Sequence, residues 1–307
     1  MLASTGPTLA QAPGPQPQPT SNPVPARSMD EIIAAATPGD WRTPAHEDTL
    51  YLELESGRVV IELAPDFAPE HAANIRALAR GHYWDGLSIN RSHDNFVVQW
   101  GDPAEEEADR KPLGEAKAKL PAEFVRQAAG LDFHPLPDPD GWAPQVGFVD
   151  GFPAARHPDA GTAWLAHCYG MVGAGRDMAA DSSNGTELYV VTGQSPRQLD
   201  RNITLVGRVL QGIERLSALP RGTGPLGFYE SAEERTPIRA IRLASEVPEA
   251  ERSALQVMRT DTALFDELVE ARRNRRDAWY KTPAGHIDLC NVPLPVRAAP
   301  DSEATDD

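Results

Sequence analysis

Cysteine is nearly absent: Cys168 and Cys290 are the only two in 307 residues. Two thiols allow one bridge at most, which excludes a disulfide framework, and their separation along the chain leaves open whether they meet. Positive charge is also short. Lys and Arg total 29 against 45 Asp and Glu, for a formal net charge of −16. A phosphate-tracking surface would need strongly segregated basic residues, so nucleic acid is not expected as a partner. No apolar run approaches the roughly 20 residues of a membrane helix, and no membrane span is expected. The N-terminus lacks the basic start and apolar stretch of an intact signal peptide. "TLAQAP" at 8–13 nevertheless resembles the small-residue end of a signal sequence. A periplasmic or otherwise exported location is therefore expected, with the cytoplasm as the alternative.

What is present is enough for one sizeable core, with 40% hydrophobic residues. Residues 1–27 are rich in Pro, Gln and Ser and read as a disordered leader. A short helical extension over 28–48 follows, where Ser28 and Glu31 have capping-box spacing ahead of Ile32 and Ile33. Leu50, Leu52 and Leu54, then Val59, Ile61 and Leu63, alternate about Ser56-Gly57, the pattern of a hairpin with one wet face. "APEHAANIRALARG" switches to helical spacing, with Pro69 in the first turn, Ala72, Ile75, Leu78 and Ala79 as a stripe, and Gly81 as the stop.

Strand signals return in "GLSINRS", "FVVQWGD", "AWLAHCYGMVGAG", "TELYVVTG", "ITLVGRVLQG" and "IRAIRLASEV". Many short strands with few helices predict a mainly β, closed sheet over 49–247. About 103–165 is too long and too rich in Pro, Gly and charge for an ordinary connection and reads as an insertion. Residues 248–295 read as a helical extension, with Asp261 as a cap and Leu264, Leu268 and Val269 as a stripe that docks back on the barrel in a monomer. An acidic tail, 296–307, ends the chain.

Within "RSHDNFVVQWGDP", Arg91 and Gln99 stand where a half-buried strand would carry apolar residues. That stretch, "NGTELYVVTG" and "LDRNITLVGRVLQGIERL" together resemble the cyclophilins, the peptidyl-prolyl cis-trans isomerases. The resemblance spans roughly 49–247 apart from the insertion, and implies a closed eight-stranded antiparallel barrel capped by two helices. It also implies an enzyme with no cofactor, acting on proline-containing polypeptides. By position it makes Arg91 the catalytic arginine, Phe96 the floor of the proline pocket, Val97 a wall residue, and Gln99 the glutamine that steadies arginine and substrate. Tyr189 falls on a second pocket aromatic, Leu199 on the slot, and Gly175 and Arg176 on a pair whose backbone contacts extended substrate.

The chemistry fits those residue types. X-Pro rotation is opposed by roughly 18–20 kcal/mol of amide resonance, and no bond is broken. A dry slot and a fixed cationic donor beside the prolyl nitrogen stabilise the twisted state selectively, and an arginine cannot lose its charge there. Three departures from the family pattern stand out: Glu187 for a glutamine, Gln198 for a tryptophan, and Ile203 for a histidine. A carboxylate at 187 that reached Arg91 would quench it, whereas one pointing along the groove would favour basic or neutral residues near the proline. The departures leave a second reading, a proline-segment binding module with little turnover. His167-Cys168 and His286-x3-Cys290 contain metal-ligand types, but zinc would need both pairs to converge, and no metal is expected.

Overall fold

The computed structural model describes residues 27–104, 106–277 and 279–300. Most of the leader and the last residues of the acidic tail lie outside the described residues. Four α-helices are present among them: α1 (Met29–Ala34), α2 (Pro69–Arg80), α3 (Ile213–Ser217) and α4 (Ala263–Arg273). None is long and apolar enough to cross a membrane.

The main sheet is antiparallel and curled. Its nine strands run in the order Thr236–Pro237, Ser88–Ser92, Val97–Gly101, Leu188–Val191, Met171–Ala174, Leu205–Gln211, Gly57–Leu63, Thr49–Leu54, Ala240–Leu243. This is an open half-barrel, not the closed eight-stranded barrel expected. The reason lies at Ile238 and Arg239. Consecutive backbone N–H groups there donate to opposite edges, Ile238 to Leu87 O (2.8 Å) and Arg239 to Glu53 O (2.9 Å). One chain therefore spans the gap where a ladder would close it, and Pro237 has no N–H with which to extend the pairing.

Inside the curl, the inward faces of the hairpin strands meet the stripe of α2. Leu52, Ile61, Ala72, Ile75, Leu78 and Trp100 are buried together. The outer face of that hairpin is not wet as expected. Tyr51 and Val60 are covered by Leu255 and Val257 of the strand Leu255–Met258, which pairs with Trp41–Arg42 and Val296–Ala298 in a separate sheet. The C-terminal extension is thus part strand, and it supplies an apolar lid that local alternation could not announce.

A second core lies beside the first. The insertion folds into a five-stranded sheet in the order Arg126–Gln127, Thr162–Leu165, Phe152–His157, Gln145–Val149, Phe133–Pro135. Phe148, Ala154 and Trp164 of that sheet pack with Ile32 of α1 and with Phe265, Leu268 and Val269 of α4. The α4 stripe therefore docks on the insertion, with Phe265 edge-to-face on Phe148 at 5.3 Å. Its cap is Thr262, which accepts from Phe265 N; Asp261 lies one residue before the cap and is bonded by Arg259. The Ser28–Glu31 capping box opens α1 reciprocally. "AWLAHCYGMVGAG", read as one strand, is two: Thr162–Leu165 belongs to the insertion sheet and Met171–Ala174 to the main sheet.

Among the bonds that join the two bodies are two arginine-centred clusters and the disulfide, besides the contacts that Glu123 and Lys117 of the insertion make with α2. Arg42, from the N-terminal segment, forks onto Glu62 of the main sheet and pairs with Asp150 of the insertion at 2.8 Å. Arg197 pairs with Asp200 (2.6 Å) and with Asp140 of the insertion (3.2 Å). Cys168 and Cys290 are bonded to each other across 122 residues of sequence. Their sulfurs are therefore consumed by the bridge and not offered as ligands.

Candidate active site

The strand Ser88–Ser92 pairs with Val97–Gly101 with a register shift between Ile89 and Arg91. The shift leaves Asn90 as the extra residue of a bulge and sets Arg91 directly opposite Gln99. Gln99 in turn faces Tyr189, and Tyr189 faces Gly173. A polar row thus crosses three strands on one face and ends at Gly173 on a fourth. Gly173 is required there, since a Cβ would sit 2.2 Å from the Tyr189 ring.

All the site residues assigned from the sequence, Arg91, Phe96, Val97, Gln99, Gly175, Arg176, Glu187, Tyr189 and Leu199, line one groove of about 510 Å³. Val97 and Tyr189 form its apolar slot with Phe96, Leu199 and Ile203, and Val191 packs behind them. Gln198 does not line the groove; it is exposed on the adjoining turn.

Arg91 stands at the rim of the slot. Its Nη1 donates to Gln99 Oε1 at 3.0 Å and its Nε to Leu226 O at 2.8 Å. Nη2 has no acceptor among the described residues. The guanidinium carbon lies 5.6 Å from the Phe96 ring and 5.1 Å from the Phe228 ring, a cation between two aromatic faces. Burial pulls the Arg91 pKa below its ordinary value, with Glu187 opposing that shift; the group keeps its charge at any physiological pH.

Glu187 does not form an ion pair with Arg91. Its Oε2 accepts from Gln99 Nε2 at 2.6 Å, so the glutamine stands between the two charges. Burial pushes the Glu187 carboxyl above the usual range, against the pull of that hydrogen bond and of Arg110. The quenched-arginine arrangement is absent.

Several neighbours carried no readable signal. Phe228 reaches the groove from a turn with Leu226 at φ 57°, and Arg110 and Ala118 reach it from the insertion. Behind the slot, Asp200 Oδ1 lies 2.9 Å from His167 Nδ1, which fixes the tautomer, so His167 Nε2 accepts the Tyr189 hydroxyl proton at 3.0 Å. His167, read from sequence as a ligand type, is a buried bracket for the pocket tyrosine. Elsewhere, His71 touches Glu123 at 2.7 Å and Ser183 at 3.3 Å, superficially a triad. His71 and Ser183 are buried, and the partly buried Glu123 also accepts from the Glu70 and His71 backbone N–H groups, capping α2.

The sequence profile of the family described as cyclophilin type peptidyl-prolyl cis-trans isomerase/CLD matches residues 49–244. The chain belongs to this family. It is 25% identical over 179 residues to a probable peptidyl-prolyl cis-trans isomerase of Brucella suis, covering 58% of this chain and 74% of that one. To the bovine (Bos taurus) peptidyl-prolyl cis-trans isomerase-like 1 it is 26% identical over 220 residues, 70% of this chain and 99% of the relative. The crystal structure of cyclophilin AquaCyp293 from Hirschia baltica is similar with a TM-score of 0.67 and 25% identity, covering 90% of this chain and 99% of that one. That share exceeds the 49–244 stretch, so the likeness includes part of the appended segments. As a cyclophilin the chain is a peptidyl-prolyl cis-trans isomerase, and it is mainly β.

Proposed function

We propose that Arg91 is the electrostatic catalyst and that the slot of Phe96, Val97, Tyr189, Leu199 and Ile203 holds the substrate's proline ring. The prolyl nitrogen becomes a hydrogen-bond acceptor only as amide resonance is lost. A donor fixed beside it therefore lowers the barrier without favouring either planar end. The observation that carries this reading is the tethering of the guanidinium: Nη1 and Nε are held by Gln99 and Leu226 while Nη2 faces no acceptor among the described residues. Gln99 positions the arginine, and its remaining amide hydrogen is available to the substrate backbone. Gly175 and Arg176 line the path of the residues before the proline.

A protease-coupled assay with a proline peptide tests this on the wild type and Arg91→Ala. Loss of one preorganised donor of this kind costs on the order of 10²–10³ in rate. A variant that keeps its rate would overturn the assignment. The binding-module alternative leaned on the departures at 187, 198 and 203; of these, the carboxylate at 187 is separated from Arg91 by Gln99, and binding of a proline peptide without turnover would favour that alternative. For location, the Cys168–Cys290 bond supports an oxidising compartment and hence export. Finding both thiols free in protein taken from its native cells would count against export.

A further inference from the structure

Gln99 lies between two groups of opposite hydrogen-bonding character. A guanidinium only donates, and an ionised carboxylate only accepts. Arg91 Nη1 reaches Gln99 Oε1 at 3.0 Å, and Gln99 Nε2 reaches Glu187 Oε2 at 2.6 Å. Turning the amide over would set donor against donor at one end and acceptor against acceptor at the other. We propose that Glu187 is a positioning residue of the isomerase: its ionised carboxylate locks the Gln99 amide in one orientation, and Gln99 thereby holds Arg91 with Nη2 turned toward the slot. The inference rests on the assignment of Arg91 made above and explains a residue that departs from the family pattern.

The backbone around Glu187 is fitted to it. A Cβ on Gly101 would lie 2.6 Å from Glu187 Cγ, and one on Gly175 would lie 3.2 Å from Glu187 Cβ. Gly175 N also donates to Glu187 O at 2.8 Å. Gly101 and Gly175 therefore leave the room that the Glu187 side chain occupies beside Gln99. A glutamine at 187 would present either end of its own amide, so Gln99 could turn over at that contact and let Arg91 go.

Charge state decides whether the lock holds. The ionisable groups facing Glu187 are Arg91 and Tyr83 from the main body, Asp102 beyond the strand end, Arg110 from the insertion and Asp177 from the facing loop. Burial is the largest influence and raises the Glu187 pKa above its ordinary 4.5, with Asp177 and Asp102 acting in the same sense and Arg110 against it. The locking form is the anion. Activity is thus present above the raised pKa and declines as pH falls through it, earlier than an ordinary glutamate would allow. The stability sign is opposite: a carboxyl whose folded pKa is raised loses fold stability as pH rises through that window.

The test compares kcat/KM from pH 4.5 to 8 for wild type and Glu187→Gln, with circular dichroism at each pH. The wild type is expected to show an acid limb that precedes any loss of fold, carried mainly by kcat. The variant is expected to be about threefold to tenfold slower at neutral pH, the size of replacing a charge-assisted hydrogen bond by a neutral one, and to be flat in acid. The Gln99 side-chain amide resonances of the wild type are expected to move along the same limb, a readout that needs no variant. A flat wild-type profile, a limb shared by both proteins, a limb that follows unfolding, or a large rate gain in Glu187→Gln would each overturn the proposal. Arg91→Ala separates the two levels: if that variant is slow and one of those results appears, the lock alone falls, whereas a fully active Arg91→Ala removes the assignment beneath it.

Discussion

The two cores of this molecule are built by different rules. The main sheet is assembled from strands whose apolar faces repeat every second residue, and its groove is lined by residues that arrive in short motifs. The second core is assembled from three stretches far apart in the chain, with Ile32, Phe148 and Phe265 meeting only in the folded state. The first holds Arg91 and the slot; Arg110 and Ala118 of the insertion also line the groove, but from a stretch whose Leu113 and Ala116 pack on the first core. Chemistry and bulk stabilisation are therefore physically separable, and substitutions in the two regions should fail in different ways.

The sharpest contrast sets Arg91→Ala against Phe265→Ala. Phe265 is fully buried and makes edge-to-face contacts with Phe148 and His134 at 5.3 and 6.5 Å. Truncating a buried phenylalanine costs about 3–5 kcal/mol through lost transfer energy and the cavity left behind. Denaturant unfolding should register that loss in full while turnover per folded molecule stays at the parent level. If turnover falls in step with stability, the second core shapes the groove and the division drawn above is wrong.

Cys290→Ser probes the covalent link instead of the packing. The bridge closes a loop over a sequence separation of 122 and so restricts the unfolded chain, a restriction that the variant lifts. The expected destabilisation is about 2–4 kcal/mol, matched in the parent by adding reductant. Should the variant unfold in two steps where the parent unfolds in one, the bridge is what makes the two bodies a single cooperative unit.

The same contrast explains what could be read in advance. Period-two alternation over 50–63 and helical spacing over 69–80 are local, so the hairpin and α2 were legible, and the Arg91, Phe96 and Gln99 offsets marked the groove. Closure of the sheet was not legible, because it turns on two N–H groups at 238 and 239 choosing opposite edges. The wet face assigned to Tyr51 failed because its cover, Leu255 and Val257, lies some two hundred residues downstream, as the Ser253–Tyr51 separation of 202 illustrates. Phe228 and Arg110 reach the groove from segments with no period at all. The bond between Cys168 and Cys290 likewise leaves no local trace.

The smallest expected effect is also the one that crosses from one region to the other. Tyr189 closes the slot, and its hydroxyl is the first member of a buried chain: His167 at 3.0 Å, Asp200 at 2.9 Å, Arg197 at 2.6 Å, then Asp140 of the insertion at 3.2 Å. Burial pushes the Asp200 carboxyl up, but its bonds to His167 and Arg197 prevail and the net shift is downward. It therefore remains an acceptor at neutral pH, and His167 keeps the tautomer that receives the tyrosine proton. Tyr189→Phe leaves the ring but strips His167 Nε2 of its donor in a fully enclosed site. An unsatisfied buried polar atom costs about 1–3 kcal/mol, so the unfolding midpoint should fall by that measure. Because the ring still walls the slot, stability should respond before turnover does. A second variant, Asp140→Asn, loosens the far end without touching the groove. If both variants alter the apparent KM for a proline peptide in the same direction, the insertion is tuning the pocket through the chain. If Tyr189→Phe is as stable as its parent, the hydroxyl bond contributes nothing and the buried chain ends, energetically, at His167.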